Sequence, residues 1–357
     1  MNQVDAPNDG VQMRQVRIIE EQERNRLSPG SIESRPTRIA CIGGGTGLPV
    51  VLKGLARRAR SRGEDPGLDL TAIVAMSDDG GSSGKLRRTR GTLPPGDVRN
   101  CLVALAGAKS ALSELFQYRF DRGPGLGGHA VGNLLIAALA ELKGDFLEAV
   151  KMSGVLLNAR GTVLPSTLEP VQLVAHLADG SRVVGERNLS KAHAPVTQVS
   201  LSPRAPAATD GVLEAIYNAD LITIGPGSLF SSVMPNLLVD GVAQALRESR
   251  GLKVYLSNLM TQPGETDGMN CLDHVRTILQ HVGPVIDVAL CNAALPPDDV
   301  VRWYAHRGSL PVAVERRALI ELGVIPVEAD LLKAGRFIRH DASKVARCLV
   351  KLARTGV

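Results

Sequence analysis

The 357-residue chain is long enough for one large α/β domain or two smaller ones. Its 44% hydrophobic and 22% charged residues are ordinary for a globular protein, and the absence of any run of about 18 uncharged apolar residues excludes a helix crossing a membrane. A net charge of +5 suits an anionic partner. With one Trp, four Tyr and five Phe there is little to stack single strands, so a phosphorylated small molecule is expected rather than nucleic acid.

The N-terminus has no apolar leader, and the five cysteines form no C-x-x-C pair. A cytoplasmic protein with free thiols is expected, without a disulfide framework or a cysteine zinc site. His274 and His281 stand seven apart on an expected helix, as surface or core histidines.

Residues 1–36 carry mixed charge and no aromatic residue, and Ser28-Pro29-Gly30 breaks any helix begun over Gln12–Leu27. They read as a mobile extension. From Thr37 an α/β pattern begins. Arg38–Ile42 is a buried strand running into Gly43-Gly44-Gly45-Thr46-Gly47, and Leu48–Arg62 is a helix. Leu70–Met76 is a second strand, ending in Ser77-Asp78-Asp79-Gly80-Gly81. This βαβ unit predicts a parallel sheet whose ligands lie beyond the carboxyl ends of its strands. Helices are expected over Asp97–Ala108 and Gly132–Leu142. A hairpin is expected over Val171–Glu186 around Asp179-Gly180. Asp220–Ile224 is a strand entering Gly225-Pro226-Gly227-Ser228, with a helix beyond. Leu252–Leu256 and Val285–Leu290 are further strands, and Asp341–Thr355 is a closing helix. The class is α/β, a parallel sheet with an antiparallel hairpin insert.

Several segments carry chemistry. Gly43–Gly47 can bring backbone N–H groups to a phosphate at a helix start, although Leu48 departs from G-x-G-x-x-G and a turn that merely packs helix on strand reads the same. Asp78 and Asp79 fall about 30 residues later, where an acid can hold a ribose hydroxyl or, with Mg²⁺, a diphosphate. A turn or cap role is the alternative, and one of the two is expected to be functional. Gly80–Lys85 imitates a P-loop, but Leu86 stands where Ser or Thr is needed. Lys85, Arg87, Arg88 and Arg90 then form either a basic lid over a phosphate or a solvated loop. Asp97 reads as a helix cap, whereas Arg99 and Asn100 in the same turn do not. His129 and Asn133 open another helix, and Gly225–Ser228 forms a second anion nest. Together the glycine-rich helix starts point to a nucleotide-like ligand.

The runs IACIGGGTGLPVVLKGL, AMSDDGGSSGKLRR, LPPGDVRNCLVALA, GHAVGNLLIAAL, IGPGSLFSSVMPNLLV, NLMTQPGETDG and IRHDASKVA resemble the YvcK/CofD-like family, and its YvcK branch more closely. The resemblance runs from Thr37 to Val357 and implies a nucleotide-binding domain over 37–357. It implies a Rossmann-like three-layer fold, a homodimer and a cytoplasmic location. YvcK-type proteins are linked to gluconeogenic growth, cell shape and peptidoglycan synthesis, and bind UDP-sugars such as UDP-N-acetylglucosamine. The resemblance therefore implies a regulatory binding protein with partners in cell-wall synthesis. The CofD branch implies the alternative, transfer of 2-phospho-L-lactate to a deazaflavin with Mg²⁺. There the acids matching Asp78 and Asp97 stand near the metal, which makes them the catalytic and metal candidates. Tyr304 and Arg339 match the uridine side. The ligand set is then Gly43, Gly44, Gly45, Thr46, Gly47, Asp78, Asp79, Arg99, Asn100, Asn133, Gly225, Gly227, Ser228, Asn258, Tyr304 and Arg339. A threonine phosphorylated elsewhere in the family is Ala342 here, beside Ser343.

Overall fold

The computed structural model describes residues 35–59, 67–106, 110–121, 123–192, 194–333 and 335–356. The expected extension, with its Gln12–Leu27 helix, lies outside these apart from residues 35 and 36.

One seven-stranded sheet forms the centre, in the order β10-β9-β8-β7-β1-β2-β3. Its strands are β1 (Thr37–Gly43), β2 (Leu68–Val74) and β3 (Thr162–Pro165), then β7 (Leu221–Ile224), β8 (Leu252–Leu256), β9 (Val288–Asn292) and β10 (Ile325–Ala329). Every neighbouring pair is parallel. Parallel strands are covered on both faces, so they read as continuous apolar runs: all four residues of β7 are buried, as are the last five of β1. A smaller antiparallel sheet, in the order β5-β4-β6, consists of β4 (Gln172–Leu177), β5 (Arg182–Val184) and β6 (Val196–Ser202). The first two form the expected hairpin.

The chain builds outward from β1 to β2 and β3, then returns to β7 and builds the other way. This is the Rossmann-like reversal, and it opens a crevice between the carboxyl ends of β1 and β7. Helices lie close to their expected places. The first spans Leu48–Arg58, and residues 60–66 beyond it are not described. Gly96–Ala106, Val131–Lys143 and Ala342–Thr355 follow. The last is capped by Asp341, which accepts from Ser343 and Lys344 N–H, both at 2.9 Å. The helix after β7 begins instead as one π-helical turn, Leu229–Val233. Among the described residues no single helix is long and apolar enough to cross a membrane.

One contact sets the spacing of two helices. Gly54 in the first helix faces the start of the final helix, where an added Cβ would collide with the Ala342 carbonyl and lie 3.0 Å from the Ala346 Cβ. In an open helix Gly→Ala gains up to about 1 kcal/mol. Here overpacking should reverse that sign, so Gly54→Ala is expected to lose about 1–3 kcal/mol by urea denaturation. A gain would mean that the two helices do not meet.

Candidate functional site

The glycine turns after β1 and β7 interlock at the crevice. A Cβ on Gly47 would lie 2.5 Å from the Pro226 carbonyl oxygen, and one on Gly227 3.0 Å from the Ser232 Cβ. Gly45 has φ +61°, which favours glycine. Asn236 braces both sides, its Nδ2 donating to the carbonyls of Gly43 (3.0 Å) and Ser232 (2.8 Å). Asn258 holds the second turn, with Nδ2 donating to the Gly227 carbonyl at 2.9 Å. Thr46 is exposed at the tip of the first turn.

Glu265 occupies the helix start after the second turn. Its buried carboxylate accepts from Ser231 Oγ at 3.0 Å, from Gln262 Nε2 at 2.8 Å, and from backbone N–H groups of Phe230 and Ser231. Ser228 Oγ in turn donates to Gln262 Oε1 at 2.5 Å. Burial raises the Glu265 pKa to about 7 against these opposing hydrogen bonds. The Glu265 carboxyl group therefore caps the backbone N–H groups of Phe230 and Ser231, just beyond the second glycine turn.

Acids gather beside the first turn. Asp97, expected from the sequence as the cap of its helix, lies within the first turn of that helix, which begins at Gly96. Its Oδ2 instead accepts from Gly45 N–H at 2.5 Å. Burial raises its pKa to about 6, opposed by that bond and assisted by the nearby charge of Asp78. Asp78 Oδ1 accepts from Gly80 N–H at 2.8 Å. Asp79 serves the hairpin insert, accepting from Arg187 N–H at 3.2 Å. The insert also supplies Glu186, bonded by Ser77 Oγ at 2.7 Å. Burial first and Asp78 second push its carboxyl well above the usual range.

Cations face these acids. Arg99 is only 4% exposed; its NH2 donates to Asn100 Oδ1 at 2.7 Å, while its Nε and NH1 have no partner among the described residues. Its aliphatic stem runs under Gly132, where a Cβ would fall 2.8 Å from Arg99 Cδ. Burial and then Arg119 lower its pKa to about 10, opposed by Asp97. Asn133 Oδ1 is buried and also unpartnered. Around them Arg119 donates to the Gly128 carbonyl, Lys85 to the Gly127 carbonyl, and Ser82 Oγ meets His129 Nδ1 at 3.0 Å.

The basic segment expected as a lid or loop is a helix, Gly81–Arg90. Glycine and serine are weak helix formers, so packing decides. Ser82, Ser83, Gly84 and Leu86 are buried, and Arg87 donates to the Val171 carbonyl at 2.7 Å.

The uridine-side candidates lie at the same sheet edge. Tyr304 is half-buried in the Asp298–Ala305 helix. Ser309 N–H donates to its carbonyl, and Ser309 Oγ to the Thr261 carbonyl at 2.6 Å, in the loop that carries Asn258 and Gln262. Arg339 is exposed, with its guanidinium 5.5 Å from the Phe337 ring centroid. Asp341 beside it is engaged as a helix cap.

Sequence reasoning missed Glu186, Glu265 and Asn236. Asn236 had a signal within the run SLFSSVMPNLLV and Glu265 within NLMTQPGETDG, whereas Glu186 lies in none of the quoted runs. Among the described residues no group of three or more His, Cys, Asp or Glu side chains is arranged to hold a metal ion. The expected free thiols are present, and Cys271 and Cys291 bring their Sγ atoms to 3.5 Å.

The arrangement is an open-sheet Rossmann-like site with two glycine turns, an acid pair and a buried guanidinium. The family model of 2-phospho-L-lactate transferase CofD matches residues 39–332, and the chain belongs to this CofD family. It is similar to the gluconeogenesis factor of Bacillus subtilis, 40% identical over 89% of this chain and 98% of that one. It is likewise similar to the gluconeogenesis factor of Listeria monocytogenes, 39% identical over 90% and 96%. A solved UPF0052 protein of Bacillus halodurans superimposes with a TM-score of 0.83 at 41% identity, covering 89% of this chain and all of that one.

The buried acid makes stability depend on pH. The folded pKa of Asp97 is about 6 against an ordinary 3.8, so its proton is held more tightly in the folded chain. That stabilisation is complete below the unfolded value and is lost as pH rises through about 6. Glu265 acts in the same direction between 4.5 and about 7. Asp97→Asn keeps an acceptor for Gly45 and removes the charge. Without ligand it should match the parent at pH 4 and exceed it at pH 8 by about 1–3 kcal/mol. Thermal unfolding from pH 4 to 8 measures this, and a variant weaker at pH 8 would mean that the native carboxylate is compensated by a cation.

Proposed function

We propose that the chain binds a nucleotide sugar of the UDP-N-acetylglucosamine type in the crevice and works as a cytoplasmic regulatory protein. The observation that carries this is Arg99, a buried guanidinium with two unpartnered nitrogens beside the interlocked glycine turns. A buried cation lacking a partner is costly, and the planar donors of arginine match phosphate oxygens. The diphosphate would meet Gly43–Gly47, Gly225–Ser228 and Arg99, and the uridine would lie towards Tyr304 and Arg339. Family resemblance supports regulation of gluconeogenic growth, cell shape and peptidoglycan synthesis, with a second copy and cell-wall proteins as partners.

The acid pair supports a second reading, the phospholactyl transfer named by the family model. Asp97 Oδ2 and Asp78 Oδ1 are engaged by backbone N–H groups, which leaves one oxygen on each carboxylate. Mg²⁺ accepts one or two carboxylates together with diphosphate oxygens and water, so these residues fit it without a third protein ligand. Such an ion would neutralise diphosphate charge. Turnover with a deazaflavin acceptor separates this reading from pure binding.

Arg99→Met tests the main reading by calorimetry with UDP-N-acetylglucosamine. Loss of a charge-assisted phosphate contact is expected to weaken binding about tenfold or more. The unliganded variant should stay folded, because methionine keeps the apolar stem that packs under Gly132. Unchanged affinity would remove Arg99 from the site. In the parent, Mg²⁺ should strengthen binding and chelation weaken it, and Asp78→Asn should abolish that difference. Equal binding with and without Mg²⁺ would end the metal role.

A further inference from the structure

Trp303, Tyr304 and Phe337 meet at the carboxyl edge of the sheet, in a chain that has few aromatics. The Trp303 and Tyr304 rings are 5.0 Å apart at 76°, and the Trp303 and Phe337 rings 6.3 Å apart at 73°. Neither neighbour lies parallel to the indole. Arg307 does stack on it, with its Cζ 3.7 Å from the ring centroid, and donates to the Trp303 carbonyl at 2.9 Å. Even so, Trp303 is 42% exposed and Phe337 47%.

Arginines outnumber acids around the rings, although Asp299 lies one helical turn before Trp303. Arg302 and Arg336 are exposed in the same two segments as Arg307 and Arg339, while Asp298 and Asp299 stand at the start of the helix. Arginine recognises phosphate through its planar fork and also stacks on aromatic faces. An open indole amid arginines suits a planar heterocycle that carries phosphate. The surface is also tied to the phosphate side of the crevice. Thr261 N–H donates to the Leu310 carbonyl at 2.7 Å, just beyond this helix, and the next residue is Gln262, which accepts from Ser228.

We propose that Trp303, supported by Phe337 and Arg307, is the face on which the uracil ring of the ligand stacks. This rests on the nucleotide-sugar reading above. Stacking responds to the planarity of the base and not to its hydrogen-bonding edge, so it adds to whatever Tyr304 and Arg339 contribute.

Trp303 is the one tryptophan in the chain, and its fluorescence therefore reports directly on this face. The experiment titrates the full chain with UDP-N-acetylglucosamine and with its 5,6-dihydrouridine analogue, by fluorescence and calorimetry. Dihydrouracil keeps every N–H and C=O group but has a puckered, non-aromatic ring. The parent is expected to show quenching with the natural ligand and about tenfold weaker binding of the analogue. Trp303→Leu should lose about tenfold for the natural ligand and bind the two ligands alike. Phe337→Leu should narrow the same gap, which provides a second variant should the first fail to fold. Equal affinity of the parent for both ligands, or unchanged discrimination in Trp303→Leu, would overturn the stacking role and leave the nucleotide-sugar reading standing. Absence of any calorimetric binding to the parent would overturn that reading and this inference together.

Discussion

The close approach of two backbone turns at the sheet reversal governs the rest of the site. Gly47 lies against the Pro226 carbonyl and Gly227 against Ser232, so side chains at these glycines would force β1 and β7 apart. Parallel strands built in opposite directions from β1 leave a crevice there by topology alone. Contact between the turns makes its floor out of backbone, and Asn236 ties that floor to the buried helices. The hydrogen bond from Gly45 to Asp97 adds the adjoining Gly96–Ala106 helix to the same unit. Chain folding therefore delivers Asp97 and Arg99 to the crevice as a consequence of satisfying a turn amide.

The second constraint is electrostatic. The charge of Asp78 raises the proton affinity of Asp97 and of Glu186, while Arg99 feels both Asp97 and Arg119. Opposite charges stand near each other without complete pairing, since two Arg99 nitrogens and the amide Oδ1 of Asn133 find no partner among the described residues. Buried groups left in this state cost more than an apolar core of the same volume. A fold under selection for stability alone would have removed them. Under the nucleotide-sugar reading, the ligand would complete these groups, and the crevice would give up stability locally in return.

The parallel sheet was legible because buried strands announce themselves as apolar runs that stop at glycine or polar residues. Leu252–Leu256 matched to the residue, and the Asp179-Gly180 turn marked the hairpin. The Gly81–Arg90 helix was not legible, since its Gly-Ser composition opposes helix and only tertiary burial forms it. β3, at the sheet edge, was also missed; it has four residues, too few to establish a period. In the site, the glycine turns and Arg99 could be found from local pattern. Glu186 and Glu265 could not, because their roles arise from partners far along the chain: Ser77 for one and Ser231 for the other.

Glu265 bears on how the crevice could communicate. Its carboxylate fixes the start of the π-helical turn, and through Gln262 it reaches Ser228 of the second glycine turn. The same loop, through Thr261, binds the segment after the Trp303–Tyr304 helix. One continuous set of hydrogen bonds thus joins the backbone that would meet phosphate to the aromatic surface that would meet a base. Such a chain of contacts does not itself establish coupling; an element with two arrangements must also exist. The loop from Asn258 to Thr266 has the position for it, since it touches both ends of the crevice and its central carboxylate titrates near pH 7. A ligand that spans both ends would hold this loop from two sides, whereas inorganic phosphate or a free nucleoside would hold it from one. That difference gives a binding protein a means of responding to an intact nucleotide sugar without any chemical turnover.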